Sequence, residues 1–345
     1  MRPGGQTGIL VYATAVGGGS ARLWRWNLGS GEVQKGPLIA DPVELVNIGS
    51  PSFGWLGITS DRGHGVLEAS VLDSLEREAE PERLGRGTIV TWARPGEALF
   101  VDRGPPPDGC RRTVSVSVAY VDRPGRERVL RETLCGDVLS VGRTSVGHLL
   151  TRLGSNGADV VGTGYRDAGL LLSDHAVISV SPDGDMIVTP SADLPSIDRA
   201  PAEGGSGRNL VPTRVIGTAS LYGQFRGPPV PYLVGGAPLQ VDEVLAYGPD
   251  AWVALAVGRV GDGRPALWEL PLFATGDPSI EPRWVGSDGG STFATYADDG
   301  TAYVATGGSL YVLRHHALKP IDGPARAPTP AGPLAWIVRE PIDDL

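Results

Sequence analysis

The stretch Ala176-Val177-Ile178-Ser179-Val180-Ser181-Pro182-Asp183-Gly184-Asp185-Met186-Ile187-Val188 reads as an apolar run, a tight turn and a second apolar run. Proline fixes φ at the second position of such a turn, aspartate bonds its own backbone, and glycine takes the positive φ. The two apolar runs are therefore antiparallel neighbours. Weaker copies occur at Thr91–Phe100, Leu245–Val253 and Thr295–Val304, and two eroded ones at Gly49–Leu56 and Val141–Leu149. The spacing from turn to turn is roughly 40 to 65 residues, which brackets the period of four-stranded propeller blades.

Working outward, each hairpin is followed by a third stretch of alternating character: Leu23–Leu28, Val66–Leu72, Ala266–Leu270 and Ser309–Leu313. Such alternation marks half-buried strands. A short fourth stretch comes next, as in Arg128–Leu130 and Pro231–Val234. With the strands of a blade lettered A to D from the axis outward, blades two to seven begin near Glu44, Gly87, Asp137, His175, Leu239 and Ser291. Blade one has strands B and C at Gly8–Ala15 and Leu23–Leu28 but no strand A before them. The orphan strand Leu334–Val338, after the Pro- and Ala-rich link Pro324–Pro333, supplies it. Pairing that edge closes the ring, the usual answer to an open sheet edge. The expectation is an all-β, seven-bladed β-propeller, a single domain over residues 1–345 with an insertion loop at 190–209.

The turn Ser181-Pro182-Asp183-Gly184 followed by Met186-Ile187-Val188 resembles the repeat of TolB-like (WD40-like) propellers, whose blades carry Trp-Ser-Pro-Asp-Gly before an apolar strand. Val180 stands where that family has tryptophan, and Trp92 lies near the corresponding place in another blade. The resemblance implies a propeller that binds proteins or extracytoplasmic ligands, and it implies no catalytic residue.

Composition agrees with many turns and short strands, since 50 Gly and 30 Pro exceed ordinary usage. Lys35 and Lys319 are the two lysines among 30 basic residues, a bias from which no function follows. A net charge of -9, without a basic run interleaved with aromatics, argues against nucleic acid as partner. No apolar run of about 18 residues is present to span a bilayer. Met1–Thr7 lacks the basic start and apolar stretch of a signal peptide, so an exported protein is expected to carry its leader outside this sequence. A monomer without cofactor is expected.

Signatures of chemistry are sparse. The chain has no G-x-S-x-G, H-E-x-x-H, C-x-x-C or phosphate-cradling loop. Of the histidines His64, His148, His175, His315 and His316, the adjacent pair points to opposite faces if it lies on a strand edge. His175, just before strand A of blade five, is placed nearest the channel mouth, and no metal site is expected. Asp183-Gly184-Asp185 and Asp298-Asp299-Gly300 read as turn formers, because neither has the alternating oxygen ligands of a calcium loop. Ser287–Phe293 resembles the Asp-box of sialidase-type propellers, with Gly286 in place of its leading serine, and is read as a structural turn.

Binding residues favour long loops on a rigid scaffold. The B-C connections Val16–Ala21, Asp102–Arg112, Pro190–Asn209 and Gly258–Pro265 all emerge on the side of the links between blades, whereas the long C-D connections Asp73–Glu82 and Ala274–Pro282 lie opposite. Ligand contacts are accordingly expected at His175, Arg103, Asp108, Arg199 and Arg208, with Pro190–Asn209 a lid or a disordered segment. A non-catalytic extracytoplasmic binding or sensor propeller for a protein or small ligand is the main reading. A lactonase- or lyase-like propeller enzyme with its site at the channel mouth is the alternative.

Cys110 precedes strand C of blade three, and Cys135 ends strand D, which returns antiparallel. The two thiols thus fall at the same end of neighbouring strands, within the Cα separation of roughly 4.4 to 6.8 Å that a disulfide requires. Closing a loop of about 25 residues stabilises by roughly 3 to 4 kcal/mol on the chain-entropy model, and persistent disulfides belong to oxidising compartments. Thiol titration of the denatured, unreduced protein is expected to find no free thiol; two would remove both the bridge and this argument for export.

Overall fold

The computed structural model describes residues 8–47, 56–62, 67–72, 74–94, 97–102, 113–120, 127–135, 137–144, 147–154, 157–163, 175–181, 185–190, 217–222, 228–249, 252–272, 281–288 and 290–337, the backbone alone at 86–163 and at scattered strand positions. Every regular element among them is a β-strand, and the strands that pair do so antiparallel. The chain opens with β1 (Ile9–Gly17), β2 (Ser20–Asn27) and β3 (Val33–Ala40). A continuous meander follows through β4 (Pro42–Asn47), β5 (Leu56–Asp61), β6 (Leu67–Leu72), β7 (Glu82–Arg94), β8 (Glu97–Asp102), β9 (Thr113–Tyr120) and β10 (Glu127–Cys135). Then come the three-stranded sheet β11 (Asp137–Thr144), β12 (Gly147–Gly154) and β13 (Gly157–Thr163), and the strands β14 (His175–Val180) and β15 (Met186–Pro190).

Short pieces β16 (Gly217–Thr218), β17 (Ser220–Tyr222), β18 (Val230–Pro231) and β19 (Leu233–Val234) lead into β20 (Ala237–Tyr247), β21 (Val253–Val260), β22 (Ala266–Pro271) and β23 (Arg283–Ser287). The last meander is β24 (Thr292–Tyr296), β25 (Ala302–Thr306), β26 (Ser309–Arg314) and β27 (Ala317–Pro320), and β28 (Leu334–Ile337) ends the described chain. β28 pairs antiparallel with β1, Ile337 opposite Ile9 and Leu334 opposite Tyr12, giving the sheet order β28-β1-β2-β3. The orphan C-terminal strand thus supplies the missing edge of the first sheet, as expected.

Four expectations are corrected. Val16–Ala21 is not an extended loop: β1 runs to Gly17, β2 starts at Ser20, and Gly18 and Gly19, at φ 65° and 71°, form a two-residue turn. That turn needs positive φ at both central positions, which glycine adopts without strain. Pro231–Val234 is not one fourth strand. β18 pairs with β17, whereas β19 pairs with β20 of the next sheet, because Tyr232 between them is buried and its backbone bonds both ways, N–H to Ala219 O at 3.0 Å and C=O from Leu239 N at 2.9 Å. Near Gly87 no strand begins; β7 is a single 13-residue strand through that position. Gly258–Pro265 is also shorter than expected, since β21 continues to Val260.

The chain divides into two compact units, one of Met1–Phe100, Ala119–Glu127 and Val285–Leu345, the other of Val101–Val118 and Arg128–Trp284. In the first, the sheet β28-β1-β2-β3 is covered on both faces. Ile9, Val11, Ala13, Ala21, Leu23 and Ala335 pack on Leu45, Leu56, Ile58 and Leu72, and Leu75 of the β6–β7 connection joins them. The alternate residues Leu10, Tyr12, Trp24, Trp26 and Trp336 pack on Tyr303, Ala305, Leu310 and Val312. Strand alternation sends successive side chains to opposite faces, so a strand buried on both sides reads as an unbroken apolar run, which Ile9-Leu10-Val11-Tyr12-Ala13 is.

Trp336 stacks on Tyr303 with ring centroids 5.6 Å apart and planes 7° from parallel. Gly8 makes room for it, because a Cβ there would sit 2.0 Å from the indole Cζ2. The link before β28 is seated rather than loose: Pro328 O accepts the Tyr12 hydroxyl at 3.0 Å, and Pro333 O accepts Ala13 N–H at 3.2 Å.

In the second unit, Ile187, Ala219 and Leu221 pack against Leu239, Val241, Ala254, Ala256, Trp268 and Leu270, joining the sheets of β14 and β20. Ala219 N–H also donates to Leu239 O at 2.8 Å, which stitches those sheets through the backbone.

Trp336→Ala is expected to cost about 3 to 5 kcal/mol in urea unfolding. Removal of residues 333–345 should abolish cooperative unfolding or cause aggregation by baring the β1 edge. Unchanged melting after that truncation would contradict the role given to β28.

Candidate functional site

Bulges recur in the opening strands of the meanders. The ladder shifts register past Val43 in β4, Leu139 in β11, Ile178 in β14, and both Asp242 and Leu245 in β20. A bulge re-aims a side chain and sharpens local twist. Asp242 is the charged member of this set, and it is only 8% exposed. Arg259, on the neighbouring strand β21, donates Nη2–H to Asp242 Oδ1 at 2.9 Å. Its side chain is 33% exposed, while its Nε is buried without a hydrogen-bond partner. Strands β20 and β21 approach closely beside the pair, since a Cβ on Gly258 would lie 2.4 Å from Gln240 O. Gly258 O in turn accepts Trp268 Nε1–H at 3.0 Å.

A second polar group spans the sheets of β14 and β20. The Tyr247 hydroxyl donates to Ser179 Oγ, which follows the Ile178 bulge. Tyr232, fully buried, donates to Pro271 O at 2.6 Å. Burial pushes the phenol of Tyr232 well above its ordinary value, with Tyr247 and Asp185 adding to the rise. Burial likewise raises Tyr247, against a lowering by its bond to Ser179. The two apolar runs flanking the Ser-Pro-Asp-Gly turn pair antiparallel as read, as β14 and β15; Ser181 N–H also reaches Asp185 O at 2.7 Å, and Asp185 N–H reaches Ser181 Oγ at 2.9 Å.

In the first unit, three exposed aliphatic residues lie at or near the end of the sheet that carries the β1–β2 turn and the β3–β4 link. Val16, extruded by a bulge in β1, is 56% exposed, Leu38 near the end of β3 50%, and Val43 at the start of β4 41%. The link is tied to the turn and to β5: Asp41 N–H donates to Gly19 O at 3.1 Å, and Asp41 O accepts Asp61 N–H at 2.9 Å. The aliphatic side chains are thus carried on hydrogen-bonded backbone.

His175 opens β14 opposite Pro190 and is half-buried. Arg103, Asp108, Arg199, Arg208 and Cys110 lie outside the described residues, as do 191–216, and Cys135 is described only as the backbone end of β10. His315 and His316 form the two-residue turn between β26 and β27 at φ 49° and 61°. Asp288 closes the Asp-box-like turn, accepting Gly290 N–H at 3.2 Å and the Thr292 hydroxyl, and Asp299 accepts Thr301 N–H at 2.9 Å. Both are turn formers, as expected. Asp242, Arg259, Ser179 and Tyr247 were not singled out in the sequence; a lone acidic pair, Asp242-Glu243, inside an apolar strand was the available signal. Among the described residues no three His, Cys, Asp or Glu side chains group to hold a metal, and no helix is long and apolar enough to cross a membrane.

No family model matches the chain, and no curated protein matches it. Solved structures resemble it: the periplasmic gluconolactonase PpgL of Pseudomonas aeruginosa, 13% identical over 96% of this chain and 99% of that one, with a TM-score of 0.54; and apo AztD of Citrobacter koseri, 12% identical over 91% and 82%, at 0.50. An acylaminoacyl peptidase of Pyrococcus horikoshii matches at 8% identity over 93% of this chain and 52% of that one, with a TM-score of 0.51. The gluconolactonase and AztD are β-propeller proteins. The likeness is one of fold, and this chain has the β-propeller fold.

Tyr12, fully buried, is raised by burial as Tyr232 and Tyr247 are. A phenol whose folded pKa lies above its unfolded value gives stability that is complete below the unfolded value, near 10, and is lost as pH rises beyond it. Stability should therefore decline progressively above about pH 10. In a spectrophotometric titration, Tyr12, Tyr232 and Tyr247 at least, of the nine tyrosines, should ionise only with unfolding. Titration of all nine below the unfolding transition would contradict this burial.

Proposed function

We propose that the chain is a seven-bladed propeller, closed by its C-terminal strand, that binds a protein or small ligand on the side of its B-C turns and works outside the cytoplasm. The blade count rests on β7. At 13 residues it is long enough to serve as strand D of one blade in its first half and strand A of the next in its second. The seven-stranded sheet then counts as two blades, which with the other five sheets make seven. The observation that carries the binding reading is the exposure of Val16, Leu38 and Val43, which lie on or near the β1–β2 turn and the β3–β4 link. Burying aliphatic side chains is worth roughly 1.5 to 3 kcal/mol each, and exposed apolar groups gathered on one rigid edge are a feature of interaction surfaces. The export reading is supported by the Cys110–Cys135 pairing expected from the sequence and by the periplasmic home named for PpgL.

The test compares two variants in quantitative capture from an extract of the source cells. In one, Val16, Leu38 and Val43 are all replaced by Glu; in the other, Trp252→Glu alters the β20–β21 turn at the opposite end of its sheet. At least a tenfold loss of a bound partner in the first variant, with retention in the second, is the expected outcome. Loss only in the second would move the working face. Hydrolysis of a sugar lactone by the purified chain would replace binding with the enzyme reading.

A further inference from the structure

The pair Asp242–Arg259 is a charged element at a kind of position that the bulges of β4, β11 and β14 fill with aliphatics. Bulges in β4, β11, β14 and β20 insert five extra residues, of which Val43, Leu139, Ile178 and Leu245 are aliphatic and Asp242 is not. Burying a carboxylate costs hydration that its partner only partly restores, and aliphatic replacements of buried ion pairs are often neutral or stabilising. The fold alone therefore gives no reason for an acid here. What the pair supplies is a fixed cation. Arg259 is the next-to-last residue of β21, at the entrance to the β21–β22 turn. Asp242 holds its Nη2 at 2.9 Å, its Nε is sealed inside, and one third of the side chain stays open to solvent. A planar guanidinium with one edge occupied still offers N–H groups in a fork that matches a carboxylate.

We propose that Asp242 and Arg259 form a ligand-binding element, in which Arg259 holds the carboxylate of a small organic acid and Asp242 is the positioning residue that fixes the guanidinium. The inference stands on the second unit alone and does not depend on the apolar surface of the first.

Isothermal titration of the full chain with acetate, oxalate and sulfate at constant ionic strength tests it. Saturable binding of oxalate is expected. Arg259→Gln and Arg259→Lys should each weaken it at least tenfold, the lysine variant because a point charge lacks the fork, and Asp242→Asn should weaken it less. The double variant Asp242→Leu with Arg259→Leu should melt within about 4 °C of the parent and bind nothing. The proposal is overturned if no probe saturates, if Arg259→Gln binds as the parent does, or if sulfate binds as well as oxalate, which would mean an adventitious ion only. A loss of more than about 10 °C in the double variant would assign the pair to stability instead.

Discussion

The first sheet depends on a contact between the two ends of the chain. β28 contributes only four residues to the pairing, yet Trp336 enters the apolar layer on one face of that sheet and Ala335 the layer on the other. The stacked pair Trp336–Tyr303 and the bare backbone of Gly8 are parts of one arrangement, because the indole occupies the volume in which a Cβ would stand. A strand this short gains little from its own hydrogen bonds. Its hold comes from burial on both sides, and from the Pro328 and Pro333 carbonyls that seat the preceding link on Tyr12 and Ala13.

Apolar layers between sheets make the scaffold rigid and leave polar chemistry to strand ends and bulges. Tyr247 and Ser179 satisfy each other across two sheets, Tyr232 is spent on a backbone carbonyl, and the carboxylates of Asp288 and Asp299 close turns. Arg259 differs from these groups. Its partner is an acid buried by a bulge, and one third of its side chain remains open to water. A cation held that way keeps its orientation without meeting all of its hydrogen-bonding capacity inside the protein, which is the condition a recognition residue needs.

Much of the architecture was legible because it is locally encoded. The turn after Val180 needs only the dihedral preferences of proline, aspartate and glycine, and the runs on either side pair antiparallel as read. The blade starts read near Glu44, Asp137, His175, Leu239 and Ser291 fall in or beside β4, β11, β14, β20 and β24, where apolar alternation resumes after turn residues. Near Gly87 no separate strand opens, because β7 runs unbroken from Glu82 to Arg94 and no turn punctuates it. Val16–Ala21 was read as a loop because glycine marks irregularity as readily as it marks the tightest hairpin turn, and only pairing of Gly17 with Ser20 distinguishes the two.

The candidate site was far less legible than the fold. By itself the sequence determined the strand character of the chain, its repeating turns and the need for a late strand to complete an early sheet, since each follows from residues close together along the backbone. Tertiary structure alone decided that Pro231–Val234 divides between two sheets, that Val16, Leu38 and Val43 share one exposed end, and that Asp242 meets Arg259. Those outcomes depend on strand register and on where a bulge falls, and a shift of one residue exchanges the two faces of a strand.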